Sequence, residues 1–139
     1  MTPDAVAGSA PNAAHASKAA VTSVLLVDDH AVFRADARAL LEAAGYLIVG
    51  EAADAAGAIT AARELDPDVV LLDVQLPDGD GFSVAKEIAA WAGATQIVLI
   101  SSREAIDYGH RLAAAPTRGF IHKPDLSRAR LEELVGPPA

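Results

Sequence analysis

The chain has 139 residues, a length that fits one domain with a hydrophobic core of its own. Its formal net charge of -8 repels phosphate backbones and argues against direct nucleic-acid binding, and the absence of cysteine excludes disulfides and thiolate metal ligands. No stretch approaches the roughly 20 apolar residues of a membrane-spanning helix, and the N-terminus lacks a secretory pattern, so we expect a cytoplasmic protein.

The two ends of the chain differ in composition from the region between them. Residues 1–21 are mainly alanine, serine, proline and glycine, a composition that predicts a flexible tail. A single domain is expected over residues 22–136. Residues 137–139 are expected to form a short C-terminal tail, because the two prolines that follow Gly136 cannot continue a helix.

Short apolar runs alternate with segments of helical spacing along the domain. In chain order, the runs predict strands at 24–27, 47–53, 69–72, 96–100 and 119–122. The segments after them predict helices at 31–44, 55–65, 82–92, 103–114 and 126–135, with the weakest pattern in the fourth. Asp54 and Asp125 are placed to cap the second and fifth helices.

Five buried strands that alternate with five helices define the fold class as α/β. Parallel strands need crossover connections, which are right-handed, so the pattern predicts an open, mostly parallel, doubly wound sheet with helices on both faces. In such sheets ligands bind beyond the carboxyl ends of the strands.

Polar residues stand at the ends of four predicted strands. They are Asp28 and Asp29 after the first strand, Asp73 after the third, Ser101 after the fourth and Lys123 after the fifth. Three carboxylates on one rim would repel one another unless a cation lay among them, and Mg²⁺ is a hard ion that prefers oxygen ligands.

Four blocks of sequence resemble the receiver domains of response regulators, the phosphoacceptors of two-component signalling. The blocks cover residues 24–30, 68–81, 97–102 and 119–124, and the likeness extends over about 23–135. The resemblance, in particular to receivers of NarL/LuxR-type regulators, implies a flavodoxin-like (βα)5 fold with strand order 2-1-3-4-5. No output domain follows in the sequence, so either the chain is a stand-alone receiver or it is a fragment.

The resemblance also implies roles for individual residues. Asp73 would accept a phosphoryl group from the phosphohistidine of a partner histidine kinase or phosphotransfer protein. Lys123 and Ser101 would contact the phosphoryl oxygens. Mg²⁺ would be held directly by Asp29 and Asp73, through water by Asp28, and by the backbone carbonyl of Gln75. Ser101 and Phe120 would form the switch, although a plain core role for Phe120 is equally favoured.

Signalling is expected to work through phosphorylation-dependent binding of a downstream protein, and a homodimer could form through the face of helix 4, strand 5 and helix 5. The chain would then be a signalling domain with self-catalysed phosphotransfer and autodephosphorylation, rather than an enzyme. Two alternatives remain open: an interaction module that works without phosphorylation, and a Mg²⁺-dependent phosphohydrolase with Asp73 as nucleophile. Lys123-Pro124 invites a cis peptide bond.

Overall fold

The structure, a computed structural model, describes residues 21–139, so the predicted tail over 1–21 lies outside the described residues except for Val21. The strands are β1 (Ser23–Val27), β2 (Leu47–Ala52), β3 (Val69–Asp73), β4 (Gln75–Leu76), β5 (Gly79–Asp80), β6 (Gln96–Ser101) and β7 (Gly119–His122). The helices are α1 (Ala31–Ala43), α2 (Ala55–Leu65), α3 (Gly81–Trp91), α4 (His110–Ala114) and α5 (Arg128–Val135). Within the described residues, no helix is long and apolar enough to cross a membrane.

Five of these strands form one parallel sheet in the order β2-β1-β3-β6-β7. Because β6 and β7 are its fourth and fifth strands in sequence, the predicted order 2-1-3-4-5 and the α/β class are confirmed. The register pairs Asp73 with Ile100 and Ser101 with His122. The carboxyl ends of β1, β3, β6 and β7 therefore meet at one edge of the sheet, which we call the rim.

The strands β1, β3 and β6 are apolar along most of their length because both faces of the sheet are covered. Successive side chains point to opposite faces, so Leu25 packs on the side of α2 and α3, and Leu26 on the side of α1 and α5. Both are buried, as are most side chains of the central strand β3. This aliphatic core fixes the strand ends that carry the polar residues.

The fourth predicted helix is wrong in form. Instead of one helix over 103–114, the chain makes a 3₁₀ turn at Ala105–Asp107 and then the short α4. Gly109 lies between them with φ at +58°, in the left-handed region that a regular right-handed helix cannot contain. Two helical fragments therefore replace the continuous helix.

Asp54 caps α2 as expected, accepting a hydrogen bond from Gly57 N at 2.7 Å. Caps and turns differ from the prediction in three other places. Asp125 does not cap α5, because it lies in a 3₁₀ turn and Ser127 takes that position. The peptide bond of Lys123-Pro124 is trans, contrary to the expectation. The loop after β3 contains the antiparallel pair of β4 and β5, which the sequence pattern did not indicate.

Candidate functional site

The rim brings together side chains that are far apart in sequence. Asp28 directly follows β1, Asp73 is the last residue of β3, and Lys123 directly follows β7. Asp28 and Asp73 are almost completely buried, with 1% and 2% of their surface exposed. Parallel strand pairing holds the three segments in place. The backbone alone therefore brings these three side chains to one place.

Lys123 lies between the two buried carboxylates. Its Nζ is 2.5 Å from Asp28 Oδ2 and donates a hydrogen bond to Asp73 Oδ2 at 3.2 Å. Its Nζ also lies 4.7 Å from the centroid of the Phe33 ring, a cation–π contact. Burial lowers the pKa of Lys123, but the hydrogen bonds and charges of Asp28 and Asp73 outweigh burial and raise it overall.

The Asp73 carboxyl has two fixed hydrogen-bond donors. Gln75 N donates to Oδ1 at 3.1 Å, and Lys123 binds Oδ2. Burial raises the pKa of Asp73 to about 6, and the charge of Asp28 adds to this, although the Gln75 N–H and the Lys123 ammonium oppose it. The Gln75 N–H and the Lys123 ammonium therefore offset only part of the cost of burying the Asp73 carboxylate.

Asp29 and His30 form the exposed side of the site. The Nδ1 atom of His30 lies 3.0 Å from Asp29 Oδ1 and 3.1 Å from Asp28 Oδ1, and the His30 backbone N–H donates to Asp28 Oδ1 at 2.7 Å. His30 precedes the first turn of α1. No role was predicted for His30, although its position directly after the two aspartates was the available signal.

The arrangement of these side chains fits a hard divalent cation. One potential ligand atom from each of Asp28, Asp29, His30 and Asp73 lies within 4.8 Å of the others. Three carboxylates and one lysine ammonium leave two negative charges, which a divalent ion would balance. Asp28 Oδ2 is buried and lies 2.5 Å from the Lys123 ammonium. Carboxylate oxygens are the ligands that Mg²⁺ prefers.

Ser101 is the last residue of β6 and is completely buried. Its Oγ accepts a hydrogen bond from Arg103 N at 3.0 Å and lies 2.6 Å from the hydroxyl oxygen of Tyr108. Tyr108 was not predicted at this site, because residues 103–114 were expected to form one regular helix.

Phe120 is half-buried in β7, and its ring packs edge-on against Tyr108 with centroids 5.9 Å apart. This contact is compatible with both the core role and the switch role.

Gln75 reaches the site through its backbone. It is the first residue of β4, and its side chain is exposed.

The fold and the rim define an α/β domain of the receiver type, with an acidic pocket at the carboxyl ends of its strands. The family model for the response regulator receiver domain matches residues 24–135. The chain belongs to this family, whose members act in two-component signalling and bind Mg²⁺ at an acidic pocket.

Relatives of known sequence support the same family. A putative transcriptional regulator from Pseudomonas aeruginosa is 33% identical over 115 residues, which are 83% of this chain and 54% of that protein. The transcriptional regulatory protein PdtaR of Mycobacterium tuberculosis is 37% identical over 103 residues, which are 73% of this chain and 49% of that protein. The chain thus spans about half the length of these curated relatives.

Solved structures agree in fold. A two-component response regulator of the LuxR family from Aurantimonas sp. SI85-9A1 has a TM-score of 0.73 and 32% identity, covering 84% of this chain and 87% of that chain. The Borrelia burgdorferi CheX-CheY-BeF3-Mg complex gives a TM-score of 0.73 at 25% identity, covering 82% of this chain and 86% of the matched chain.

Proposed function

We propose that this receiver domain accepts a phosphoryl group on Asp73 in a Mg²⁺-dependent reaction and signals by phosphorylation-dependent protein–protein interaction. The donor would be a phosphohistidine on a histidine kinase or phosphotransfer protein. The observation that carries the proposal is the Asp73 carboxylate itself. It is buried at the end of the central strand, lies 3.2 Å from the Lys123 ammonium, and shares one pocket with Asp28 and Asp29.

The transfer requires an oriented nucleophile. One carboxylate oxygen of Asp73 attacks phosphorus, an O–P bond forms, and the P–N bond to the donor histidine breaks, so that the imidazole leaves with the bonding electron pair. The Gln75 N–H and Lys123 hold the carboxylate in one orientation. Positioning of this kind accounts for much of the catalysis of phosphoryl transfer.

Charge on the phosphoryl oxygens must also be stabilised. The Lys123 ammonium lies close enough to Asp73 to interact with a phosphoryl group attached there, and Ser101 follows the residue paired with Asp73. We assign Asp29 and Asp73 as direct metal ligands, Asp28 as a ligand through water, and the Gln75 carbonyl as a further ligand. Bound Mg²⁺ would neutralise negative charge on the carboxylates and the phosphoryl oxygens.

The downstream surface would be the face of α4, β7 and α5, through which a second copy of the chain could also bind. The 3₁₀ turn before α4 presents Ile106, which is 87% exposed, next to this face. An exposed aliphatic side chain of this size is suited to contact with a protein partner. A cytoplasmic location follows from a kinase donor of this class.

The test is phosphorylation followed by intact mass. The protein is incubated with Mg²⁺ and acetyl phosphate, beside Asp73→Asn and the matched control Asp36→Asn, which alters an exposed aspartate of α1. The proposal predicts one added phosphoryl group on wild type and on Asp36→Asn, and none on Asp73→Asn or after chelation of Mg²⁺. Absence of the adduct on wild type, even with candidate kinases, would overturn it in favour of a module that works without phosphorylation.

A further inference from the structure

The hydroxyl groups of Ser101 and Tyr108 are in contact at the rim. The Ser101 and Tyr108 oxygens are 2.6 Å apart, a short hydrogen bond between a strand end and the segment that precedes α4. Ser101 is completely buried, so its hydroxyl depends on protein partners for its hydrogen bonds. Tyr108 therefore contacts the Ser101 hydroxyl, the group that would bind an oxygen of a phosphoryl group on Asp73.

The Tyr108 ring packs against two other aromatic rings. The Phe82 centroid lies 5.7 Å from the Tyr108 centroid at an interplanar angle of 67°, and the Phe120 centroid lies at 5.9 Å and 62°. Both are edge-to-face contacts, which favour one ring orientation. The phenol oxygen is thereby aimed at Ser101. The Phe120 side chain, on β7, has no polar atom that could replace the Tyr108 hydroxyl as a partner of Ser101.

The partners of Ser101 and the relative acidity of the two hydroxyl groups favour one direction for this bond. A serine hydroxyl has one proton and two acceptor lone pairs, and Arg103 N–H occupies one lone pair of Ser101. A phenol is a stronger acid than an aliphatic alcohol, so the favoured donor of the pair is Tyr108. Both lone pairs of Ser101 are then used, and its own proton is left for a third partner.

We propose that Tyr108 is a positioning residue that donates its phenolic proton to Ser101 and so directs the Ser101 proton toward a phosphoryl group on Asp73. This inference rests on the proposed phosphorylation of Asp73 and names a residue that regulates it. Because the same bond joins Ser101 to the segment before α4, the state of the pocket is transmitted to that segment through Tyr108.

The kinetic test uses Tyr108→Phe, which keeps the ring and removes only the hydroxyl. The rate of Mg²⁺-dependent phosphorylation by acetyl phosphate is expected to fall about two- to ten-fold, the range for loss of one neutral hydrogen bond. In a Ser101→Ala background, Tyr108→Phe should have no further effect. Tyr46→Phe is the matched control, since its hydroxyl binds the Gly136 carbonyl, and it should keep the wild-type rate.

A second measurement follows the hydroxyl itself. The chain has two tyrosines, so selective ¹³C labelling of the hydroxyl-bearing carbon gives two signals that Tyr108→Phe assigns. Beryllofluoride with Mg²⁺ should shift the Tyr108 signal in wild type and not in Ser101→Ala, and should leave the Tyr46 signal unchanged. A merely structural Tyr108 would not produce this difference.

The outcomes separate the two proposals. Wild type that gains a phosphoryl group while Tyr108→Phe reacts at the wild-type rate overturns the role of Tyr108 alone. If Tyr108→Phe slows the reaction equally in wild type and in the Ser101→Ala background, the role of Tyr108 is also overturned, because the tyrosine would then act independently of the serine. If wild type gains no phosphoryl group, both proposals fail.

Discussion

Gly81 begins α3 directly against the backbone at the end of β3, the strand that carries Asp73. A Cβ atom added at Gly81 would lie 2.5 Å from the Asp73 carbonyl oxygen and 2.9 Å from Val74 Cα. Real Cβ atoms do not approach backbone so closely, so Gly81→Ala must displace the end of β3 or the start of α3. We expect a net cost of about 1–2 kcal/mol, because overpacking costs about 1–3 kcal/mol and the gain in helix propensity, at most about 1 kcal/mol, offsets part of the larger values.

The matched substitution is Gly93→Ala, where no heavy atom lies within 4 Å of the added Cβ. For a domain of this size, a net loss of about 1–2 kcal/mol lowers Tm by roughly 4–10 °C. Gly93→Ala should leave Tm unchanged or raise it slightly, because alanine restricts the unfolded chain. Calorimetry at equal pH measures both. A Gly81→Ala melting temperature within about 1 °C of wild type would refute the steric argument.

Three further outcomes are expected. Lys123→Met leaves two buried carboxylates without their cation, so in metal-free buffer urea denaturation should show a loss of about 3 kcal/mol, partly recovered by Mg²⁺. An undiminished stability would contradict the bridging role. Asp54→Ala removes the cap on Gly57 N and should cost about 1 kcal/mol by the same assay, with Asp54→Asn close to wild type. Hydrogen bonds, first from Arg38, lower the pKa of Glu51, so its contribution is present above its unfolded pKa and lost as pH falls through the folded value. The urea midpoints of wild type and Glu51→Gln should therefore converge between neutral and acidic pH; a constant difference would contradict this assignment.

The sheet and most of the pocket could be predicted from the sequence because their signals are local. Each central strand is an unbroken apolar run that ends at a polar residue, as at Val27-Asp28 and Leu72-Asp73. Parallel pairing then brings those ends to one edge, whatever the details of the loops. The meeting of Asp28, Asp73 and Lys123 follows from topology alone.

Contacts between loops and strands could not be predicted in this way. Within the segment over 103–114, the side chains that pack on the core are Tyr108 and Leu112, so its form depends on individual contacts such as Tyr108 with Ser101. Gly109 was visible in the sequence, but a single glycine inside a helical pattern does not by itself indicate a break. Ser127 caps α5 by accepting a hydrogen bond from Arg130 N, although the sequence also offers Asp125, an equally suitable capping residue two positions earlier.

The segment between β6 and β7 differs from the rest of the domain in how few of its side chains are buried. Residues 102–107 are exposed, and the side chains that pack on the core from this segment are few, namely Tyr108, Leu112 and Ala115. Substitutions at exposed positions such as Ile106 change stability little. This part of the surface can therefore diverge under selection for new binding partners while the buried rim keeps its chemistry. One buried pocket could in this way be combined with many different binding surfaces.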